Sequence, residues 1–249
     1  MSEIDKVIRL LLISSSTTFG SAYLDHAEFE IMDFLQGVSH IVFVPFALHE
    51  RSGYVATAKQ RLERMGFSLT SVHDVSNMPR AIDEADAIFV GGGNTFRLLK
   101  ALQDHDLPGP IRRCVAAGMP FVGSSAGSIV AGPSLKTTKD MPVVQPPSFE
   151  ALNLVPFQIS PHYLDPDPAS KHMGETQEER IAQFLEENNE PVVGLREGSM
   201  LRIEAGAVRL KGPHTARIFR RGKEPCEVAP ATDISALLLE PARLVGARS

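Results

Sequence analysis

Pro120-Phe121-Val122-Gly123-Ser124-Ser125-Ala126-Gly127 is the stretch on which the reading of this chain turns. A short apolar run, Pro120–Val122, leads into Gly-x-Ser-x-Gly, and small residues follow. Strand, sharp turn and helix in that order present a serine hydroxyl at the C-terminal end of a strand. A residue on such a turn adopts a strained backbone. Gly123 and Gly127 remove side chains that would collide with the neighbouring strand and helix. The helix starting near Ala126 offers unbonded N–H groups and a positive dipole end, which suit a developing oxyanion. The plain alternative is a glycine- and serine-rich loop that only turns the chain.

The flanking sequence supplies the context. Val7–Ile13 reads as a buried strand. Leu24, Ala27, Ile31, Phe34 and Leu35 recur at helical spacing up to Gly37. Strands are expected at His40–Phe46, Ser68–Val72 and Ala87–Val90, with helices at Tyr54–Met65, Ala81–Ala85, Thr95–Gln103 and Ile111–Ala117. Asn94 is a good N-cap for the third of these helices. Strands alternating with helices predict an α/β fold, a mostly parallel sheet covered by helices on both faces. Residues 133–150 contain Pro133, Pro142, Pro146 and Pro147 without periodicity and read as a long irregular loop. A strand is expected at Leu154–Ile159 and a helix at Thr176–Glu187, where Thr176 and Glu179 form a capping box. A strand at Val192–Leu195 and an antiparallel hairpin of Met200–Ile203 with Val208–Leu210 complete the reading. With no repeat or linker, residues 1–249 are read as one domain.

Bulk properties narrow the function classes. The 249 residues are 43% hydrophobic and 22% charged, with a net charge of −5 and no basic block. That argues against a nucleic-acid surface and against electrostatic hold on a membrane. The longest apolar runs are strand-length, well short of the roughly 20 residues of a membrane span. Glu3, Asp5 and Lys6 lead directly into a strand, without the features of a signal peptide. Cys114 and Cys226 form no disulfide framework or metal-ligand pattern. A cytoplasmic protein, a monomer or homodimer needing no cofactor or metal, is the expectation.

A serine nucleophile needs a base and a group to orient it. Of the eight histidines, His162 follows a strand in Ile159-Ser160-Pro161-His162-Tyr163, near the expected sheet edge of Ser125. Two acids are candidates for the orienting role, Asp140 in the loop and Glu197 just past a strand end. Strand ends are held better than loops, which favours Glu197. Gly91-Gly92-Gly93-Asn94 ends another strand at the edge where ligands bind in open α/β sheets.

Together these segments resemble the peptidase E, or aspartyl dipeptidase, family. The likeness runs from Leu11-Leu12-Ile13-Ser14-Ser15-Ser16 through Phe43-Val44-Pro45-Phe46-Ala47, Val90-Gly91-Gly92-Gly93-Asn94-Thr95-Phe96 and the Ser125 turn. It continues through Thr137-Thr138-Lys139-Asp140-Met141-Pro142, Ile159-Ser160-Pro161-His162-Tyr163 and Gly174-Glu175-Thr176. The resemblance implies a class I glutamine amidotransferase-like fold and a metal-free serine peptidase that releases N-terminal aspartate from dipeptides. It implies Ser125 as nucleophile, His162 as base, Glu197 or Asp140 as the third member, and Gly93 with Ala126 as the oxyanion hole. Asn94, Glu175, Gln177 and Arg180 are the expected substrate contacts, and small peptides the expected partners.

In one place the chain departs from the pattern. The resemblance implies an arginine after Gly-Glu-Thr, to pair with the substrate's aspartate carboxylate, but Gln177 stands there. Arg180, on the same helix face, or Lys171 could supply the charge; otherwise specificity broadens. A broader dipeptidase or a cyanophycinase-like hydrolase on the same scaffold are alternatives. An α/β-hydrolase esterase, which would use the late His214 as base, and a non-catalytic binding protein are the rivals from outside the family.

Overall fold

The computed structural model describes residues 8–239 apart from Pro168, Ser170 and His172. Val7 of the expected first strand, and His172, lie outside the described residues. The first half alternates as expected: β1 (Leu10–Ile13), α1 (Glu28–Phe34), β2 (His40–Val44), α2 (Arg51–Arg64), β3 (Ser68–Ser71), α3 (Met78–Asp83) and β4 (Ala87–Val90). Next come α4 (Thr95–Asp104), α5 (Pro108–Ala116), β5 (Phe121–Ser124) and the four-residue α6 (Ala126–Ile129). The remainder is β6 (Gln158–Pro161), α7 (Gln177–Glu187), β7 (Val192–Leu195), β8 (Met200–Glu204), β9 (Ala207–Lys211), β10 (Ala216–Arg220) and β11 (Lys223–Val228).

The element boundaries follow local chemistry. β2 stops at Val44, two residues before the expected end, because Pro45 has no N–H for the ladder. α2 begins three residues early, where Glu50 caps it by accepting from Gly53 N. α3 likewise begins at Met78, capped by Asn77, whose Oδ1 accepts from Arg80 N at 3.0 Å. The stretch read as one helix from Leu24 is a 3₁₀ turn at Asp25–Ala27 followed by α1. The capping box of Thr176 and Glu179 is present at α7.

The main sheet has the order β3-β2-β4-β5-β1-β8-β9. Its first five strands are parallel, and β8 and β9 extend it antiparallel from β1. Leu10 and Leu12 of β1 belong to one core cluster, Leu11 and Ile13 to the other. Both faces of this strand are therefore covered, which is why it reads as unbroken apolar residues rather than alternating ones.

The antiparallel hairpin expected at Met200–Ile203 and Val208–Leu210 is present as β8 and β9, and it forms the edge of the main sheet. A second sheet, order β11-β10-β7-β6, includes β10 and β11, which lie beyond the last strand expected from sequence. The strand expected at Leu154–Ile159 is displaced to β6. The N–H groups of Leu152 and Leu154 bond to Val130 O and Ala131 O, so this backbone is engaged by the chain after α6 and cannot join a ladder.

α6 packs close under the main sheet. A Cβ on Gly127 would lie 2.1 Å from the carbonyl oxygen of Val90, and one on Gly123 2.6 Å from that of Gly127. Gly127→Ala forces β4 and α6 apart. Overpacking of this kind costs about 1–3 kcal/mol, at about 2–4 °C per kcal/mol for a domain of this size. The midpoint of thermal unfolding is expected to fall by about 2–12 °C in calorimetry; an unchanged midpoint would refute the close approach.

Candidate active site

Ser125 sits between β5 and α6 with φ 52° and ψ −109°, a backbone conformation that L-residues rarely adopt. Its N–H donates to Ile13 O at 3.0 Å, which ties the turn to the end of β1. Ser128 Oγ secures the same turn, its one proton shared between Ile13 O at 2.8 Å and Gly123 O at 2.9 Å. The turn therefore aims the Ser125 hydroxyl away from the sheet edge and into a cleft.

The opposite wall comes from the second sheet. Ser125 Oγ and His162 Nε2 are 2.9 Å apart, and His162 Nδ1 lies 2.6 Å from Glu197 Oε1. His162 itself has φ 51°, so two of these three residues hold rare backbone conformations, as strained residues at functional sites often do. His162 follows β6 and Glu197 follows β7, parallel neighbours whose C-terminal ends coincide. Arg196 secures the Glu197 loop. Its guanidinium bonds Asp165 Oδ1 at 2.6 Å and Glu227 Oε2 at 3.0 Å, and lies over the Tyr163 ring. Those hydrogen bonds, to Asp165 first, raise the Arg196 pKa and hold both carboxyls below their ordinary values.

Ser14, at the end of β1, joins the two sheets. Its buried Oγ donates to Leu195 O at 2.7 Å and accepts from His162 N at 2.9 Å. Sequence reasoning singled out neither Ser14 nor Arg196. Ser14 was visible only as a small polar residue after an apolar strand.

Asp140 has a different position. Its Oδ2 accepts from Thr95 N and Thr95 Oγ1, both at 2.6 Å, at the start of α4. It also lines the cleft of about 430 Å³ that contains Ser125, His162, Gly92 and Gly93. Asn94 Oδ1 caps α4 through Arg97 N, and its Nδ2 donates to Met141 O, so it pins the irregular loop. Gly93 has φ 136°, and a Cβ there would lie 2.7 Å from Ala47 O. Among the described residues the Gly93 N–H has no hydrogen-bond acceptor. The Ala126 N–H is the first of α6, where no intrahelical acceptor exists. Gly92 N donates to Tyr54 Oη at 2.8 Å, which orients the glycine turn. Burial raises the Tyr54 pKa, so its hydroxyl stays protonated.

The remaining expected contacts lie further out. Gln177 Oε1 accepts from Leu164 N at 2.5 Å, and its Nε2 donates to His162 O at 3.1 Å. It braces the segment after the histidine. Glu175 accepts from Gln183 and lies 3.6 Å from Arg180 Nε. Lys171 is exposed. His214 lies against Gly198 and Ser199, and the histidine bonded to the Ser125 hydroxyl is His162.

The arrangement can move a proton from the serine hydroxyl to an imidazole whose other nitrogen is held by a carboxylate, beside two free N–H donors. The family description Peptidase family S51 matches residues 10–211. The chain belongs to this family. It is 51% identical over 231 residues to a Streptomyces coelicolor protein named peptidase E, covering 93% of this chain and 95% of that one. It is 46% identical over 232 residues to a Drosophila melanogaster protein named "Probable alpha-aspartyl dipeptidase", covering 92% and 97%. Among solved structures, a peptidase from an acI-B1 actinobacterium shares the fold with a TM-score of 0.67 at 16% identity, covering 92% of this chain and 96% of that one. This S51 chain is thus a serine peptidase by family. Among its described residues no helix is long and apolar enough to cross a membrane.

Ser14→Ala takes one donor from Leu195 O, which keeps Tyr163 N, and leaves the His162 N–H without its acceptor, a loss of about 1–3 kcal/mol for the group left unsatisfied. It is expected to lower the urea midpoint and slow covalent labelling of Ser125 by an organophosphonate at least severalfold. Labelling at the wild-type rate would show that Ser14 does not position His162.

Proposed function

We propose that this chain is a serine dipeptidase that hydrolyses dipeptides with an N-terminal aspartate through an acyl-enzyme on Ser125. The observation that carries this reading is the continuous hydrogen-bonded series Ser125 Oγ, His162 Nε2, His162 Nδ1, Glu197 Oε1. The name of the Drosophila relative at 46% identity, a probable alpha-aspartyl dipeptidase, supports the substrate class. The chain acts in the cytoplasm on this reading, in keeping with two free cysteines, Cys114 and Cys226.

His162 accepts the Ser125 proton as Oγ attacks the peptide carbonyl. Glu197 keeps the imidazole in the tautomer that leaves Nε2 free and stabilises the imidazolium that forms. The N–H groups of Gly93 and Ala126 receive the oxyanion. His162 then protonates the leaving amine, and water attacks the acyl-enzyme by the same route in reverse.

The short substrate also needs its α-ammonium held, since that group is cationic near neutral pH. Asp140 suits this role. Oδ2 is engaged at Thr95, whereas Oδ1 has no hydrogen-bond partner among the described residues, and the residue lines the cleft. Glu175, exposed and engaged with Gln183 and Arg180, suits it less.

Steady-state hydrolysis of Asp-Leu tests the assignment. Ser125→Ala should retain less than about 10% of wild-type kcat at unchanged folding. Glu197→Gln should lose up to about 10⁴ in kcat, the size of effect seen when an orienting acid is neutralised. Asp140→Asn should act more on KM, and N-acetyl-Asp-Leu should be a poor substrate for the wild type. Full activity in Glu197→Gln with loss of kcat in Asp140→Asn would give the orienting role to Asp140 instead.

A further inference from the structure

Beside the His162 carbonyl is a second, smaller cavity of about 50 Å³. Lys139 and Gln177 both line it, and both reach that carbonyl: Lys139 Nζ and Gln177 Nε2 each donate to His162 O at 3.1 Å. Lys136, Thr137, Thr138, Ser160 and Arg180 complete its polar lining, which contains no acidic residue. The lysine head group thus meets the backbone of the residue whose imidazole meets Ser125, from the chain segment that continues into Asp140.

The charges around this cavity are unevenly matched. The Lys136 ammonium donates to the neutral Asn188 side chain. Arg180 has Glu175 at 3.6 Å, with both side chains about half exposed, so the pair leaves much of the arginine's field uncompensated. Lys139 has no carboxylate within ion-pair distance among the described residues. Desolvation, the largest cause, and repulsion from Arg180 hold its pKa below the ordinary lysine value, although the nearby carboxylates of Asp140 and Glu197 oppose the shift. A partly desolvated cation of this kind gains from an anionic partner.

We propose that this cavity receives the side-chain carboxylate of the substrate's N-terminal aspartate, and that Lys139 is the specificity-determining cation that binds it. The inference rests on the aspartyl-dipeptidase reading above and adds the residue that recognises the acid. One water needs about 10–15 Å³ of such space, so 50 Å³ holds a group of a few heavy atoms, such as a carboxymethyl. The charge comes from the 133–150 loop, not from α7. Gln177, at the position where an arginine was expected, is neutral and engaged at Leu164 N and His162 O, and Arg180 is half exposed with Glu175 at 3.6 Å, whereas Lys139 reaches the His162 carbonyl and has no carboxylate that close.

The test compares kcat/KM for Asp-Leu and Asn-Leu in the wild type, Lys139→Gln and Lys139→Arg, with thermal midpoints measured alongside. The wild type is expected to prefer Asp-Leu. Lys139→Gln should reduce the Asp-Leu/Asn-Leu ratio about tenfold or more, because Asp-Leu falls much further than Asn-Leu. Lys139→Arg, which keeps the charge, should restore most of the ratio. If the wild type prefers Asp-Leu and Lys139→Gln leaves the ratio within about twofold, the acid is recognised elsewhere and the proposal alone fails. Equal losses on both substrates would reduce Lys139 to a brace for the His162 carbonyl, again overturning it. A wild type that shows no preference for Asp-Leu would overturn the aspartyl reading, and this proposal with it.

Discussion

The Ser14 hydroxyl stands where two sheets meet, and its two hydrogen bonds set the separation between them. On one side it continues β1, whose end also accepts the Ser125 N–H. On the other it bonds Leu195 O at the end of β7 and His162 N after β6. A hydroxyl can donate once and accept at the same time, so one small side chain registers both strand ends of the second sheet against the main sheet. The Ser125–His162 distance of 2.9 Å is a consequence of that register. Because Ser14 is fully buried, water cannot take over either bond cheaply.

From this junction the cleft is built outward in layers. The glycines under Ser125 allow α6 to approach β4 so closely that the strained turn cannot relax into the sheet. The long loop closes the other side. It is irregular but well anchored: Asp140 and Thr138 meet Thr95, Asn94 holds Met141 O, and Thr137 bonds Ile159 O. Such anchoring explains how a loop rather than a strand end can carry side chains with defined positions. It also places Lys139 and Asp140, consecutive residues of opposite charge, in the linings of two different cavities.

Much of this was legible in the chain. The alternation of apolar strands with capped helices announced a parallel sheet. The strand–turn–helix around Ser125 required its glycines, and the capping box of α7 appeared where Thr176 and Glu179 put it. The less legible parts have physical causes. β6 begins later than its apolar run suggests because carbonyls after α6 claim the N–H groups of Leu152 and Leu154. The strands β10 and β11 carry mixed polar sequences, since β11 lies at a sheet edge and needs little apolar surface.

The sequence by itself determined the fold class, the strained serine turn and the likeness to peptidase E. These depend on periodicity and on spacings of a few residues, which the backbone converts directly into local structure. Only the tertiary structure decided which acid meets His162, what Asp140 and Gln177 bond, and that Lys139 reaches the His162 carbonyl. Those answers depend on contacts between residues 35 positions apart, as in His162 and Glu197, or 148 apart, as in Ser14 and His162. Hydrogen bonds act over about 3 Å, so such pairs are set by how the two sheets pack, a property no short stretch of the chain contains.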